Sequence, residues 1–186
     1  MKLWKKTLGT LMFLLVLITT LSLPGATFSQ AIAHVFVYPA EIVATTCGTQ
    51  TVEVWVEDVV DLTGYHLEIS FDPDVIEVTD VVNGGFLAPP GESALYEPTN
   101  EIDNDNGLIL FGLVQQGDGT GDPVPKTGDG VLIEITLRAV VPNETSAITI
   151  DADNSILVDW PDVSPIDFTT SDGSVKIGRA SCRERV

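Results

Sequence analysis

GYHLEISFDPDVIEVTDVVNG, residues 64–84, holds the rhythm that decides the fold. Tyr65, Leu67, Ile69 and Phe71 alternate with His66, Glu68 and Ser70. A period of two sends successive side chains to opposite faces of an extended chain, whereas a helix repeats its apolar residues every three or four. The stretch is therefore a half-buried strand. Asp72-Pro73 ends it, because proline presets φ for a turn and offers no amide hydrogen to a ladder. Val75-Ile76-Glu77-Val78 opens a second strand, which Asn83-Gly84-Gly85 closes.

The same alternation recurs on both sides. In TVEVWVE (51–57), Val52, Val54 and Val56 oppose Glu53, Trp55 and Glu57. In VLIEITLR (131–138), Val131, Ile133, Ile135 and Leu137 are expected to face inward, with Leu132, Glu134, Thr136 and Arg138 outward. LILFGLV (108–114) is apolar on both faces, so its outer face is either covered by the chain's own loops, such as 86–100, or left as an adhesive patch. Shorter strands are expected at 34–38, 75–82, 147–150, 155–158 and 174–177, separated by Gly, Pro, Asn and Asp clusters. No segment has convincing helical periodicity and no internal repeat appears. The fold class is all-β, a two-sheet antiparallel β-sandwich in one domain.

EIDNDNGLILFGL (101–113) resembles the beginning of a calcium loop. Such a loop needs acids at positions 1, 3 and 5, glycine at 6 and glutamate at 12. With Gly107 at position 6, Ile102 and Leu113 fall where the first and last ligands belong. Asn106-Gly107 before an apolar strand instead signals a β-hairpin with a two-residue type I′ turn. A loose surface calcium site on Asp103 and Asp105 is the alternative. No other metal and no cofactor is expected.

The two ends are set apart from the domain. Residues 1–31 carry Lys2, Lys5 and Lys6, an apolar run to Leu23, Pro24-Gly25 and then small residues, the layout of a secretory signal peptide cleaved after Ala31 or Ala33. An uncleaved membrane anchor is the competing reading. Residues 179–186 resemble the in-frame translation of a sequencing adapter, so Cys182 is not counted as a partner for Cys47. Residues 32–178 remain, enough to bury a core without disulfides. Within them stand 3 basic and 26 acidic residues, a net charge of −23 against −18 for the whole chain. Such a surface repels nucleic-acid backbones and anionic membrane surfaces, leaving basic proteins or neutral glycans as partners.

Nothing marks an enzyme. No GxSxG, HExxH or phosphate-binding glycine loop occurs, and His34 and His66 lack zinc-site spacing. A lone Cys47 reads as a buried or turn residue rather than a nucleophile. Direct carbohydrate binding is the main rival to protein recognition, with Trp55, Trp160, Tyr38 and Tyr96 as candidate stacking residues. A structural module of a larger envelope protein is the third reading.

The combination of Phe71-Asp72-Pro73, Val75-Ile76-Glu77-Val78, GLILFGLVQQGDGTG (107–121), KTGDGVLIEITLRAV (126–140) and DGSVKIG (172–178) resembles a cohesin domain. The resemblance spans nearly all of residues 32–178 and keeps the order of elements. It implies a jelly-roll topology of about nine strands, in which a Gly-Asp-Gly turn leads into the strand at 131–138. It also implies a secreted, non-catalytic module that binds a dockerin-type partner in extracellular assemblies linked to polysaccharide breakdown. Attachment to the cell surface would come through further C-terminal sequence, and polysaccharide is a second candidate partner. The partner face would be formed partly by 64–71, 108–116 and 131–138. Its outward residues would be His66, Glu68 and Ser70, with Gly112, Val114, Gln115 and Gln116. Where the family often carries Asn and Asp on the first of these strands, this chain has Gly64 and His66.

Overall fold

The computed structural model describes residues 32–46, 48–88, 95–116 and 122–179. The readings of residues 1–31 as a signal peptide, of Cys47, and of the adapter-like 180–186 fall outside them. The described residues form strands and no α-helix: β1 (Ala33–Tyr38), β2 (Glu41–Ala44), β3 (Thr49–Phe71), β4 (Ile76–Asn83), β5 (Leu95–Asp103), β6 (Leu108–Gln115), β7 (Lys126–Ala139), β8 (Thr145–Ile150), β9 (Ile156–Asp159), β10 (Phe168–Ser171) and β11 (Gly173–Ile177). Every segment with the two-residue rhythm lies on one of these. Segments 51–57 and 64–71 are two halves of the single strand β3.

The N-terminal half of β3 pairs with β1 on one side and β7 on the other, and β4 and β10 extend that layer. The C-terminal half pairs with β6, then β5, on one side and with β8 and β9 on the other. β11 joins β8 to β2. The strand passes between layers at Asp58 (φ 55°) and Asp61 (φ 56°), both left-handed, where its pairing with β7 shifts register twice. Aspartate tolerates this conformation better than most residues. The exposed amides are caught by β7: Asp58 N–H donates to Asp129 Oδ1 at 2.8 Å and Asp61 N–H to Thr127 Oγ1 at 3.0 Å. Gly128-Asp129-Gly130 is thus not a turn preceding a strand but part of β7, with Gly128 at φ 113° accommodating the bend.

Between the layers lie Val52, Val54, Val56, Leu67, Ile69 and Phe111, each at 1% exposure or less. Burial of each contributes roughly 1.5–3 kcal/mol. β7 departs from strict alternation. Val54 pairs with Ile133 but Trp55 with Val131, so Leu132 is the extra residue of a bulge and is buried, while Val131 is only half-buried. The Leu132 carbonyl accepts from Gly84 N–H (2.9 Å) and from the Tyr65 hydroxyl (2.5 Å). Burial, and secondarily the charge of Glu97, hold that hydroxyl protonated far above the ordinary tyrosine range.

The β5–β6 connection is a hairpin, but not of type I′. Asp103 pairs with Leu108, leaving a four-residue loop 104–107 in which only Gly107 has positive φ (68°). A Cβ at Gly107 would lie 2.1 Å from the Phe71 carbonyl, and the Gly107 carbonyl accepts from Phe71 N–H at 2.9 Å. Asn104 reaches the free edge of β4, where its amide mimics a strand: Val78 N–H donates to Oδ1 and Nδ2 donates to the Val78 carbonyl, both at 2.9 Å. Asn104→Ala would strand both groups at a partly buried edge. It is expected to lower unfolding free energy by about 1–3 kcal/mol in urea denaturation, while exposed Asn106→Ala has a smaller effect.

Candidate functional site

The outer face of β5–β6–β3–β9 carries an open groove of about 310 Å³, lined almost entirely by carbon. Its floor is Gly64 and His66 of β3 with Gly112 of β6, and its walls are Val114, Val158 and Trp160. Gly112 is buried because the His66 ring and Pro98 close over it; a Cβ there would sit 3.4 Å from each. Gly64 keeps the floor low in the same way, since its Cβ would come 3.2 Å from Val114 Cγ2. Pro98 reaches the groove because β5 bulges between Tyr96 and Thr99. Proline is tolerated there, as a bulge asks no ladder bond of it.

The far wall depends on the bend of β3. Trp160 N–H donates to the Asp61 carbonyl at 3.2 Å, and the Thr63 hydroxyl lies 3.2 and 3.1 Å from the Val158 and Asp159 carbonyls. Asp159 then folds the following loop back: its Oδ1 accepts from Ser164 N–H at 2.7 Å and its own N–H donates to the Ser164 carbonyl at 3.0 Å. Val163, 63% exposed, and Trp160 stand at the rim of this loop.

A family profile for the cohesin domain matches residues 48–177. This chain belongs to the cohesin family. Solved cohesin structures share its fold at low identity. A non-cellulosomal cohesin from the archaeon Archaeoglobus fulgidus is 20% identical with a TM-score of 0.60, covering 80% of this chain and 93% of its own. The cohesin Coh-OlpC of Clostridium thermocellum, solved in complex with the dockerin Doc435, is 24% identical with a TM-score of 0.63, over 79% and 94%. CaCohA2 of Clostridium acetobutylicum is 16% identical with a TM-score of 0.64, over 82% and 94%. No curated protein sequence matches the chain. The β-sandwich of this cohesin is the jelly roll its sequence resemblance implies.

The sequence-predicted face of this cohesin separates in space: 131–138 lies in β7, which pairs with the N-terminal half of β3 in the other layer. His66, Gly112 and Val114, the last 41% exposed, meet in the groove. Glu68 lies beyond it, half-buried, with Oε1 3.3 Å from Asn154 Nδ2 and its backbone N–H on Ser155 Oγ at 3.0 Å. Ser70 is exposed further along β3 and lines a different hollow with Asp72 and Thr149. Gln116 is exposed just past β6. Gln115 borders the groove, but its side chain does not face outward. It continues the inward phase of Ile109, Phe111 and Leu113, is 8% exposed, and donates from Nε2 to the Leu87 carbonyl at 2.8 Å. Leu87 plugs the core at 1% exposure, so the described residues 86–88 cap the interior end rather than the outer face of β6. Trp160, Pro98 and Val158 join the site only through the fold.

The acidic hairpin loop is a structure of its own. Asp103 Oδ1 accepts from Asp105 N–H and Asn106 N–H at 3.0 Å each, and Oδ2 accepts from Asn106 Nδ2 at 2.7 Å. Both Asp103 carboxylate oxygens accept hydrogen bonds from the turn. The Asn106 side-chain and backbone bonds lower the Asp103 pKa. A depressed folded-state pKa means that its stabilisation is present above the unfolded aspartate value and lost as pH falls through the folded one. Asp103→Asn is expected to flatten the fall in stability below about pH 4, measured as urea midpoints from pH 6 to pH 2.5.

Proposed function

We propose that this cohesin receives a dockerin-type protein domain on the outer face of β5–β6–β3–β9. In this reading it acts as a secreted, non-catalytic module of an extracellular assembly linked to polysaccharide breakdown. The apolar groove between Val114 and Trp160 carries the reading. A rigid sheet with one hollow of this kind suits an apolar side chain presented on a partner's helix. Solved relatives of the same fold, Coh-OlpC and Coh-OlpA of Clostridium thermocellum, are held in cohesin–dockerin complexes.

Gly64 and His66 give the proposal its particular character. A floor of glycine and imidazole in place of an Asn–Asp pair selects a partner by apolar fit in the groove rather than by hydrogen bonds to a carboxylate. Glu97, exposed beside Pro98, and Glu68 supply negative charge at the margins. A partner bearing Lys or Arg around its apolar anchor would associate faster, with a rate that falls as salt rises.

Calorimetric titration against dockerin domains encoded in the same genome tests this. Val114→Asp, at an exposed position, and Trp160→Ala are each expected to weaken binding by roughly 10–100-fold, the scale of a central anchor. Trp55→Ala, on the other layer, should leave it unchanged. A dockerin that binds wild type and Val114→Asp equally overturns the assignment of the face. Absence of binding to every such dockerin overturns the function.

A further inference from the structure

The layer opposite the groove has an outer face that protein recognition through β5–β6–β3–β9 leaves unused. In β1, Ala33, Val35 and Val37 are buried at 2%, 0% and 2% exposure, so His34, Phe36 and Tyr38 point outward. Register sets Phe36 opposite Trp55 of β3, with His34 opposite Glu57 and Tyr38 opposite Glu53. Four rings thereby gather on one sheet. His34 and Phe36 stack at 5.2 Å with an interplanar angle of 24°, and Tyr38 meets Trp55 edge to face at 6.2 Å and 70°. Trp55 Nε1 donates to Glu53 Oε2 at 2.7 Å, which fixes the indole plane. His34 Nε2 lies 2.9 Å from Ser171 Oγ of β10, which ties the imidazole down as well. Tyr38 is 55% exposed at the end of the row.

We propose that this face, centred on Phe36, Tyr38 and Trp55, binds the chain of a neutral β-linked polysaccharide. A pyranose has flat faces of C–H groups and an equator of hydroxyls. The C–H faces bury against aromatic rings, and the hydroxyls need acceptors and donors at the sides. Both are present here. Outward residues two apart on a strand are separated by about 6.8 Å, so Phe36 and Tyr38 place successive rings on the scale of one sugar unit, and the 24° and 70° angles of the two ring pairs make the row ridged rather than flat. Glu53 and Glu57 flank Trp55 on its own strand, Glu134 faces Glu53 from β7, and Thr169 and Ser171 run beside β1 on β10. These carboxylates and hydroxyls are set to accept from and donate to sugar hydroxyls.

Charge chooses among occupants. Carboxylates beside the central ring, on a chain of net charge −18, repel uronate or sulfated glycans. The cores of protein interfaces are depleted of Glu and Asp, whereas Trp55 has a glutamate on each side. A half-exposed, ring-bearing, carboxylate-flanked sheet fits a neutral glycan better than it fits a second protein. The site shares no residue with the groove, so this inference stands or falls apart from dockerin binding.

Affinity electrophoresis of the full chain tests the proposal, with mixed-linkage β-glucan and xylan as neutral probes and polygalacturonate as the anionic one. The expected result is retardation by at least one neutral probe and none by polygalacturonate. Trp55→Ala and Tyr38→Ser should each weaken retardation by at least about tenfold, and Val114→Asp should not change it. Tyr38, being exposed, can be replaced without disturbing the core, and an unchanged melting temperature verifies this. Three outcomes overturn the proposal: no retardation by either neutral probe, equal retardation of wild type and Tyr38→Ser, or a sedimenting dimer that Trp55→Ala dissolves. The last would mean that a second copy of the chain covers the face.

Discussion

The bend of β3 is the constraint on which the remaining structure rests. At Asp58 and Asp61 the backbone enters a conformation that most side chains resist, and it stays there because Asp129 and Thr127 of β7 accept the amides so exposed. Those acceptors stand in for the ladder partners that the register shifts take away. With them, one strand of 23 residues supplies the middle of both layers. The core fills because Val52, Val54 and Val56 from one half face Tyr65, Leu67 and Ile69 from the other. The same bend delivers the Asp61 carbonyl to Trp160, so a local backbone conformation sets the wall of a groove about a hundred residues away in sequence.

Small residues act in that groove by what they leave out. Gly64 and Gly112 hold its floor at backbone level, and any side chain at Gly64 would press on Val114. The hollow is bounded by Pro98, Trp160 and Val158, each placed by a bulge or a folded-back loop rather than by strand periodicity. Shape, more than any single polar contact, is what the face offers.

Much of this was legible in the sequence, and the gaps have physical causes. Alternation located the strands that have one buried face, because burial is what writes a period of two into composition. β5 (LYEPTNEID) shows no such rhythm: it is a mostly exposed edge strand, paired among the described residues with β6 alone. β2 and β10 are four residues long, too short to display a period. In β7 the bulge at Leu132 shifts the phase, which no local pattern announces. The cohesin resemblance implies an outward Gln115, yet counting by twos along β6 from Phe111 places it inward, where it serves the Leu87 carbonyl. His66 is legible because it lies in the phase opposite to the core, whereas Gly112 and Val114 follow from the resemblance, since 108–114 is apolar on both faces. Trp160 follows β9 in a loop, and non-local contacts, the pairing of β9 with β3 and the bond to Asp61, put it beside them.

The continuity of β3 also has a mechanical meaning. Its C-terminal half floors the groove and its N-terminal half carries Trp55, so the two outer faces are joined by a single run of peptide bonds. Tension applied between molecules held on opposite faces would travel along that covalent path. The hydrogen bonds of the flanking ladders would be loaded sideways only, as lateral braces. A sandwich whose layers were built from separate strands would have to carry the same pull through its connecting loops and across its apolar interior.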